Sequence, residues 1–243
     1  MLLAIRIPLV IIWIIFSTMI GIVVSIFRPF DPRNIKVTTR ILKYGRFILG
    51  MKIELRNAHI MTDNHPCVII SNHQDNLDIF AGALALPERT VSIGKRSIIW
   101  IPFFGLYYWL SGNILIDRKN KRSAFETMDV AAKAIKENNI SVWIMPEGTR
   151  SRGRGLLPFK KGPFITAIKA GVPIVPVAWS NYIEGMNLNK WHSGTILMEV
   201  LPAISTEGLS VDDVHDLKEK AYEAMKNGIA KLDLEVANSK HKR

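Results

Sequence analysis

A histidine and a carboxylate stand five positions apart in Asn72-His73-Gln74-Asp75-Asn76-Leu77-Asp78, directly after the short apolar run at residues 67–70. An imidazole titrates near neutral pH, and a carboxylate on its second ring nitrogen fixes the tautomer and stabilises the imidazolium, so His73 and Asp78 have the makings of a general base. Five residues do not share one face of a continuous helix. The spacing works if His73 lies in the turn after a strand and Asp78 in the first turn of the next helix. Residues 67–70 are β-branched and read as a buried strand, and Asp75, followed by Leu77, Ile79 and Phe80, reads as a helix N-cap. With Asp75 as cap, Asp78 falls at the third helical position, where an acid favours a helix start whatever its chemistry. Both roles stay open on these residues alone.

A second group of residues suits an anion. Residues 146–162, PEGTRSRGRGLLPFKKG, carry Arg150, Arg152, Arg154, Lys160 and Lys161 against one acid, Glu147. Guanidinium forks match phosphate oxygens in paired hydrogen bonds, and glycines such as Gly148 let backbone amides come close. Pro163 opens a helix whose start adds a positive dipole end. A phosphate-binding loop is the favoured reading; the alternatives are a solvated basic loop and a nucleic-acid patch, against which Phe159 stands as the one aromatic for stacking. Gly153-x-Gly155 lacks the third glycine of a dinucleotide fingerprint. In residues 112–118, GNILIDR, Asp117 and Arg118 close an apolar run and on their own could be a surface ion pair.

These groups need a scaffold, and the chain supplies an alternating one. Residues 90–94, 140–145, 174–178 and 195–201 read as strands; Ser123 and Glu126 form a capping box for a helix bearing Phe125, Met128, Ala132 and Ile135; Gly171 closes the helix that Pro163 opens. From Ser210 a charged amphipathic helix keeps Val214, Leu217, Ala221 and Met225 on its inner stripe and ends in a basic tail, 240–243. Alternation of this kind predicts an α/β domain, with ligands beyond the carboxyl ends of the strands.

Residues 7–27 carry no charge and are long enough to cross a bilayer as a helix. No A-x-A site follows, which argues against a cleaved signal peptide. Arg28, Arg33, Lys36, Arg40, Lys43, Arg46 and Lys52 outnumber Arg6 upstream, placing the bulk of the chain on the cytoplasmic side. Ile41, Leu42, Phe47 and Ile48, interleaved with Lys43 and Arg46, make a second, amphipathic segment, so a helical pair in one leaflet rivals a true span. The expected division is a membrane-anchoring helical segment at 1–55 and a catalytic domain at 56–243. The aromatics of residues 100–109 suit core, with an acyl cavity or bilayer interface as alternatives. Lys and Arg number 32 against 21 Asp and Glu, a formal charge of +11, which favours an anionic partner such as phospholipid or a phosphorylated substrate. One cysteine, Cys67, excludes an internal disulfide framework, and no motif supports metal or nucleotide chemistry.

In this order, NHQDNLD, GNILIDR, MPEGTRSRGRG and VPIVPV (172–177) resemble the four motifs of the glycerolipid acyltransferase family, over a core from about Cys67 to Ser180. Leu115 stands where an aromatic is common. The resemblance implies a mixed sheet flanked by helices, and transfer of a fatty acyl group from acyl-coenzyme A or acyl carrier protein to the sn-2 hydroxyl of 1-acyl-sn-glycerol 3-phosphate. The product is phosphatidic acid, the step belongs to phospholipid biosynthesis, and the place is the cytoplasmic face of a bacterial inner membrane. It implies His73 as base of an HX4D motif, Asp78 as its partner, and Arg118, Glu147, Gly148, Thr149 and Arg150 on the acceptor's phosphate, with Arg152 and Lys160 as further contacts. Lys95 is a candidate for the oxyanion or phosphate, with a membrane-facing cation as its alternative. Pro173 and Pro176 are expected near the acyl pocket. No metal, no cofactor beyond the acyl thioester and no nucleic acid are expected; lysophosphatidic acid and anionic membrane lipids are the expected partners. Transfer should be direct, since no G-x-S-x-G elbow exists. The competing functions are a related acyltransferase using glycerol 3-phosphate or another lysolipid, and a non-catalytic, membrane-tethered anion-binding protein.

Overall fold

The apolar start and the alternating strands and helices that follow build a three-layer α/β unit. The computed structural model describes residues 1–117 and 121–241, with side chains throughout except at 121–125 and 240–241. In chain order the elements are α1 (Leu2–Phe27), α2 (Arg33–Leu42), α3 (Gly45–Ile48), β1 (Met51–Arg56), α4 (His59–Asp63), β2 (Val68–Ser71), α5 (Asp78–Ala85) and β3 (Thr90–Lys95). There follow a 3-10 turn (Arg96–Trp100), α6 (Phe104–Leu110), β4 (Ile114–Ile116), α7 (Lys121–Asn138), β5 (Ser141–Ile144), α8 (Gly162–Ala170), β6 (Ile174–Trp179), β7 (Gly194–Val200) and α9 (Val214–His241).

The described strands form one sheet in the order β1-β7-β6-β2-β5-β3-β4, parallel except where β6 meets β7. From β2 the chain crosses through α5 toward β3; from β5 it crosses through α8 toward β6, in the opposite direction. Right-handed crossovers running in opposite directions put their helices on opposite faces. In agreement, α8 packs on α7, α9 and β2, and α9 on β6 and β7, while α2 packs on α5 and α1 on α2 and α6. Neighbouring β2 and β5 therefore flank the switch point of the sheet, where a crevice opens beyond their carboxyl ends. Burial on both faces explains the unbroken apolar strands: Val68, Ile69 and Ile70 are fully buried, as are Val175, Val177, Ala178 and Trp179. Gly171 ends α8 at φ +67, a left-handed position that suits glycine.

Several elements differ from expectation. β1 and β4 had no separate signal, and β1 straddles the expected division at residue 55, so the sheet begins inside the presumed anchor. α7 starts at Lys121, upstream of the expected Ser123 cap, whose side chain lies outside the described set, as does most of the basic tail at 240–243. The second amphipathic segment is broken into α2 and α3. The aromatic cluster is only half core. Tyr107 and Tyr108 are buried, but Trp100, Phe103, Leu106 and Trp109 are exposed.

α1 lies along the domain. Its inner face approaches so closely that a Cβ at Gly21 would collide with Thr38 and stand 2.6 Å from the Tyr107 ring. Its outer face exposes Ile5, Leu9, Ile12, Phe16, Met19, Val23 and Phe27. At the amino end Arg6 is 4% exposed and donates to the carbonyls of Leu188 (2.7 Å), Lys190 (2.6 Å) and Trp191 (2.9 Å) and to Ser193 Oγ (2.7 Å). Beyond the carboxyl end, the Phe30 N–H donates to Leu110 O. Lys36 on α2 donates to Leu86 O at the end of α5, tying the apolar segment to the helix that starts at Asp78.

Candidate active site

The loops after β2 and β5 meet at the switch point, and paired backbone bonds hold them there. Ser151 N–H donates to His73 O (2.8 Å) and Arg152 N–H to Gln74 O (3.1 Å). Two amide side chains in the first loop lock it to the strand on the other side. Asn72 exchanges both of its amide bonds with the Trp179 backbone (3.0 and 2.9 Å), and Gln74 donates to Ser180 O (2.9 Å) and accepts from Tyr182 N–H (3.2 Å). The buried amides of Asn72 and Gln74 are thus answered, and the turn bearing His73 is fixed on both flanks.

In that turn His73 Nδ1 lies 2.6 Å from Asp78 Oδ2. The side chain of Asp78 is 3% exposed and that of His73 19%, so the pair has a shielded end and an open end. Nε2 has no hydrogen-bond partner among the described residues. Asp78 Oδ2 also accepts the N–H groups of Gln74 (2.7 Å) and Asp75 (3.1 Å), and Oδ1 accepts the Tyr182 hydroxyl at 2.5 Å. The expected cap is therefore wrong in detail: α5 begins at Asp78, and Asp75 gives its amide to that carboxylate. Asp78 serves the preceding turn and the imidazole, because the chain at 74–75 folds back over it. Tyr182 carries no motif signal; 104 residues separate it from Asp78 in sequence.

The arginine-rich loop sorts its members. Thr149, Arg152 and Lys160 are exposed, and Arg150 is partly buried with its Nε unpartnered among the described residues. Gly148 sits at φ +69, with the Lys160 side chain crossing where a Cβ would lie 3.4 Å from Lys160 Cε. Arg154 curls back to the carbonyls of Ser151 and Arg150, bracing the loop. Glu147 departs from the expectation of a phosphate contact. At 2% exposure its carboxylate accepts His73 N–H (2.6 Å) and Leu157 N–H (3.0 Å), so it faces inward and ties the two loops together. Burial pushes its carboxyl up to about 7, against the pull of those two amides. A carboxyl so placed, turned inward on two backbone amides, is a brace.

Lys95 is exposed at the carboxyl end of β3, in register with Ile116 at the end of β4. Arg118, two residues beyond, lies outside the described residues. Pro176 pairs with Ile70 close to the His73 turn, whereas Pro173 lies at the far end of the sheet, where its carbonyl accepts Val68 N–H; it shapes the strand entry and stands away from the crevice. Among the described residues no cluster of His, Cys, Asp and Glu is fit to hold a metal ion. What the arrangement can do is take a proton at His73 Nε2 beside a basic loop that carries Thr149, Arg150, Arg152 and Lys160.

Comparison with known proteins agrees with this geometry. Residues 52–180 match the family model described as Acyltransferase. The chain is 43% identical to a 1-acyl-sn-glycerol-3-phosphate acyltransferase of Haemophilus influenzae over 239 residues, 98% of this chain and 99% of that one. It is 43% identical to the Escherichia coli protein of the same name, covering 93% and 94% of the two chains. The human 1-acyl-sn-glycerol-3-phosphate acyltransferase alpha is 37% identical over 88% of this chain and 76% of its own length. In fold, the chain superposes on the crystal structure of the 1-acyl-sn-glycerophosphate acyltransferase of Thermotoga maritima with a TM-score of 0.67 at 21% identity, covering 94% and 97% of the two chains. With near full-length identity of this order, and the His–Asp turn and basic loop meeting at the switch point, the chain belongs to the acyltransferase family in which these 1-acyl-sn-glycerol-3-phosphate acyltransferases stand.

Proposed function

We propose that this enzyme transfers a fatty acyl group from acyl-coenzyme A or acyl carrier protein to the sn-2 hydroxyl of 1-acyl-sn-glycerol 3-phosphate, giving phosphatidic acid, with His73 as general base. The observation that carries this reading is the His73–Asp78 contact of 2.6 Å, with the imidazole partly exposed and its turn hydrogen-bonded to the loop that carries Arg150 and Arg152. Nε2 accepts the hydroxyl proton as the oxygen attacks the thioester carbonyl. When the C–S bond breaks, the imidazolium returns the proton to the leaving thiolate. Asp78, accepting at Nδ1, keeps the ring in the tautomer that leaves Nε2 unprotonated and balances the imidazolium charge. No residue becomes acylated.

Arg150, Thr149 and the exposed Arg152 and Lys160 suit the acceptor's phosphate, with Gly148, whose N–H donates to Met145 O, shaping the turn beside them, and Arg118, two residues beyond β4 in sequence, completes the proposed set. Glu147 supports them from behind. Lys95, at the end of the neighbouring strand, is a cation available to the developing oxyanion. The names of the curated relatives favour lysophosphatidate as acceptor.

The membrane reading favours one leaflet. Both ends of α1 are bound to the same domain, Arg6 to residues 188–193 and Phe30 to Leu110, while the outer face of α1 and the exposed Trp100, Phe103 and Trp109 form apolar surface suited to lipid. An in-plane helix would bring the crevice to the height at which a lysolipid presents its headgroup. An acceptor panel tests the reaction: thiol release from an acyl thioester should depend on lysophosphatidate and be weak with glycerol 3-phosphate. The reverse preference overturns the acceptor assignment.

A further inference from the structure

We infer that Tyr182 is a positioning residue for the acyl transfer, aiming Asp78 at His73 through its buried hydroxyl. The inference rests on the base reading of His73 and goes beyond it to a residue that none of the four motifs contains. A carboxylate turns broadly about its terminal torsion, and Oδ2 alone cannot hold the group in one orientation, because its three donors converge on a single oxygen. Those donors are His73 Nδ1, Gln74 N–H and Asp75 N–H. Tyr182 donates to the other oxygen, Oδ1, at 2.5 Å. Gripped at both oxygens, the carboxylate keeps Oδ2 in line with the ring.

The tyrosine is itself fixed. Its side chain is 3% exposed, its backbone N–H donates to Gln74 Oε1, and Gln74 reaches across to Ser180 O. A buried phenol needs an acceptor, and this one has a carboxylate as its acceptor, where charge-assisted bonds are the stronger kind. Burial and the Asp78 charge raise the phenol's proton affinity, so it stays a donor at working pH. The connection from β6 to β7, 180–193, carries Tyr182 near its start and ends on the residues that hold Arg6, so it braces both the reacting pair and the start of α1.

The test is a double-mutant cycle on the full chain in vesicles containing lysophosphatidate, with thiol release as readout. Tyr182→Phe keeps the ring and removes the hydroxyl. Loss of one hydrogen bond to a charged group predicts a fall in kcat of about 10- to 100-fold, with both KM values within about twofold and a thermal midpoint lowered by several degrees in a chain that still folds. In an Asp78→Asn background the same substitution should cost much less, because the carboxylate it aims is gone. An unchanged kcat for Tyr182→Phe overturns the inference, as does an equal fold loss in both backgrounds, which is the pattern of a merely structural contact. His73→Ala in the same assay separates the two levels. Ordinary turnover there removes the base reading, whereas an inactive His73→Ala beside a fully active Tyr182→Phe removes Tyr182 alone.

Discussion

The Glu147 carboxylate accepts the backbone N–H of His73 at 2.6 Å, so the acid of the basic loop holds the turn that carries the imidazole. Burial raises its carboxyl from 4.5 to about 7. Between those values the folded chain keeps a proton that the unfolded chain has released. Stability from this group is therefore complete below about pH 4.5 and is lost as pH rises through about 7, by at most about 3 kcal/mol at roughly 1.4 kcal/mol per unit. Glu147→Gln removes the titration, and its unfolding midpoint should depend less on pH over this window than that of the unsubstituted chain. Parallel profiles for the two proteins would speak against a raised Glu147.

Asp78→Asn preserves size but turns an NH2 group toward donors on every side. We expect kcat to fall by about a hundredfold or more, as when a base loses the acid that fixes its tautomer. A helix-start role alone would give about 1 kcal/mol of destabilisation with turnover intact. Steady-state rates and thermal midpoints on one preparation decide between these outcomes.

Arg150→Ala removes a guanidinium whose Nε has no internal partner among the described residues, so little of the fold depends on it. The KM for lysophosphatidate should rise about tenfold or more, while the KM for the acyl donor stays near its starting value. An unmoved KM for lysophosphatidate takes Arg150 out of the phosphate site.

Arg6→Ala deletes four hydrogen bonds and leaves the carbonyls of Leu188, Lys190 and Trp191 without their cation. Stability should fall by about 3 kcal/mol or more, and the first turns of α1 should become accessible to limited proteolysis. Protection equal to that of the unsubstituted chain would show that the amino end of α1 is held elsewhere.

How much of this was legible in the sequence depended on how local each signal was. The His73 turn, the basic loop and the strands at β2, β5, β6 and β7 are short-range patterns, and they fall where the residues suggested. Tyr182 could not be found that way, since its partner lies 104 positions off and becomes a neighbour only through the β2–β6 pairing. Glu147 was misread because the charge of a loop says nothing about which side chain turns inward. Arg6, counted in the sequence as one flanking charge, proves to be a buried tether. For Trp100 and Trp109 core was favoured over an acyl cavity or the bilayer interface, and both are exposed, because hydrophobicity alone does not tell a buried ring from one at the surface.

The account's central claim is that His73 takes the hydroxyl proton. Thiol release by the full chain in vesicles, with lysophosphatidate and whichever palmitoyl thioester supports turnover, tests it most directly. His73→Ala should lose about a thousandfold or more in kcat while keeping its thermal midpoint and its sedimentation with the vesicles. Release from His73→Ala at the rate of the unsubstituted chain would contradict it.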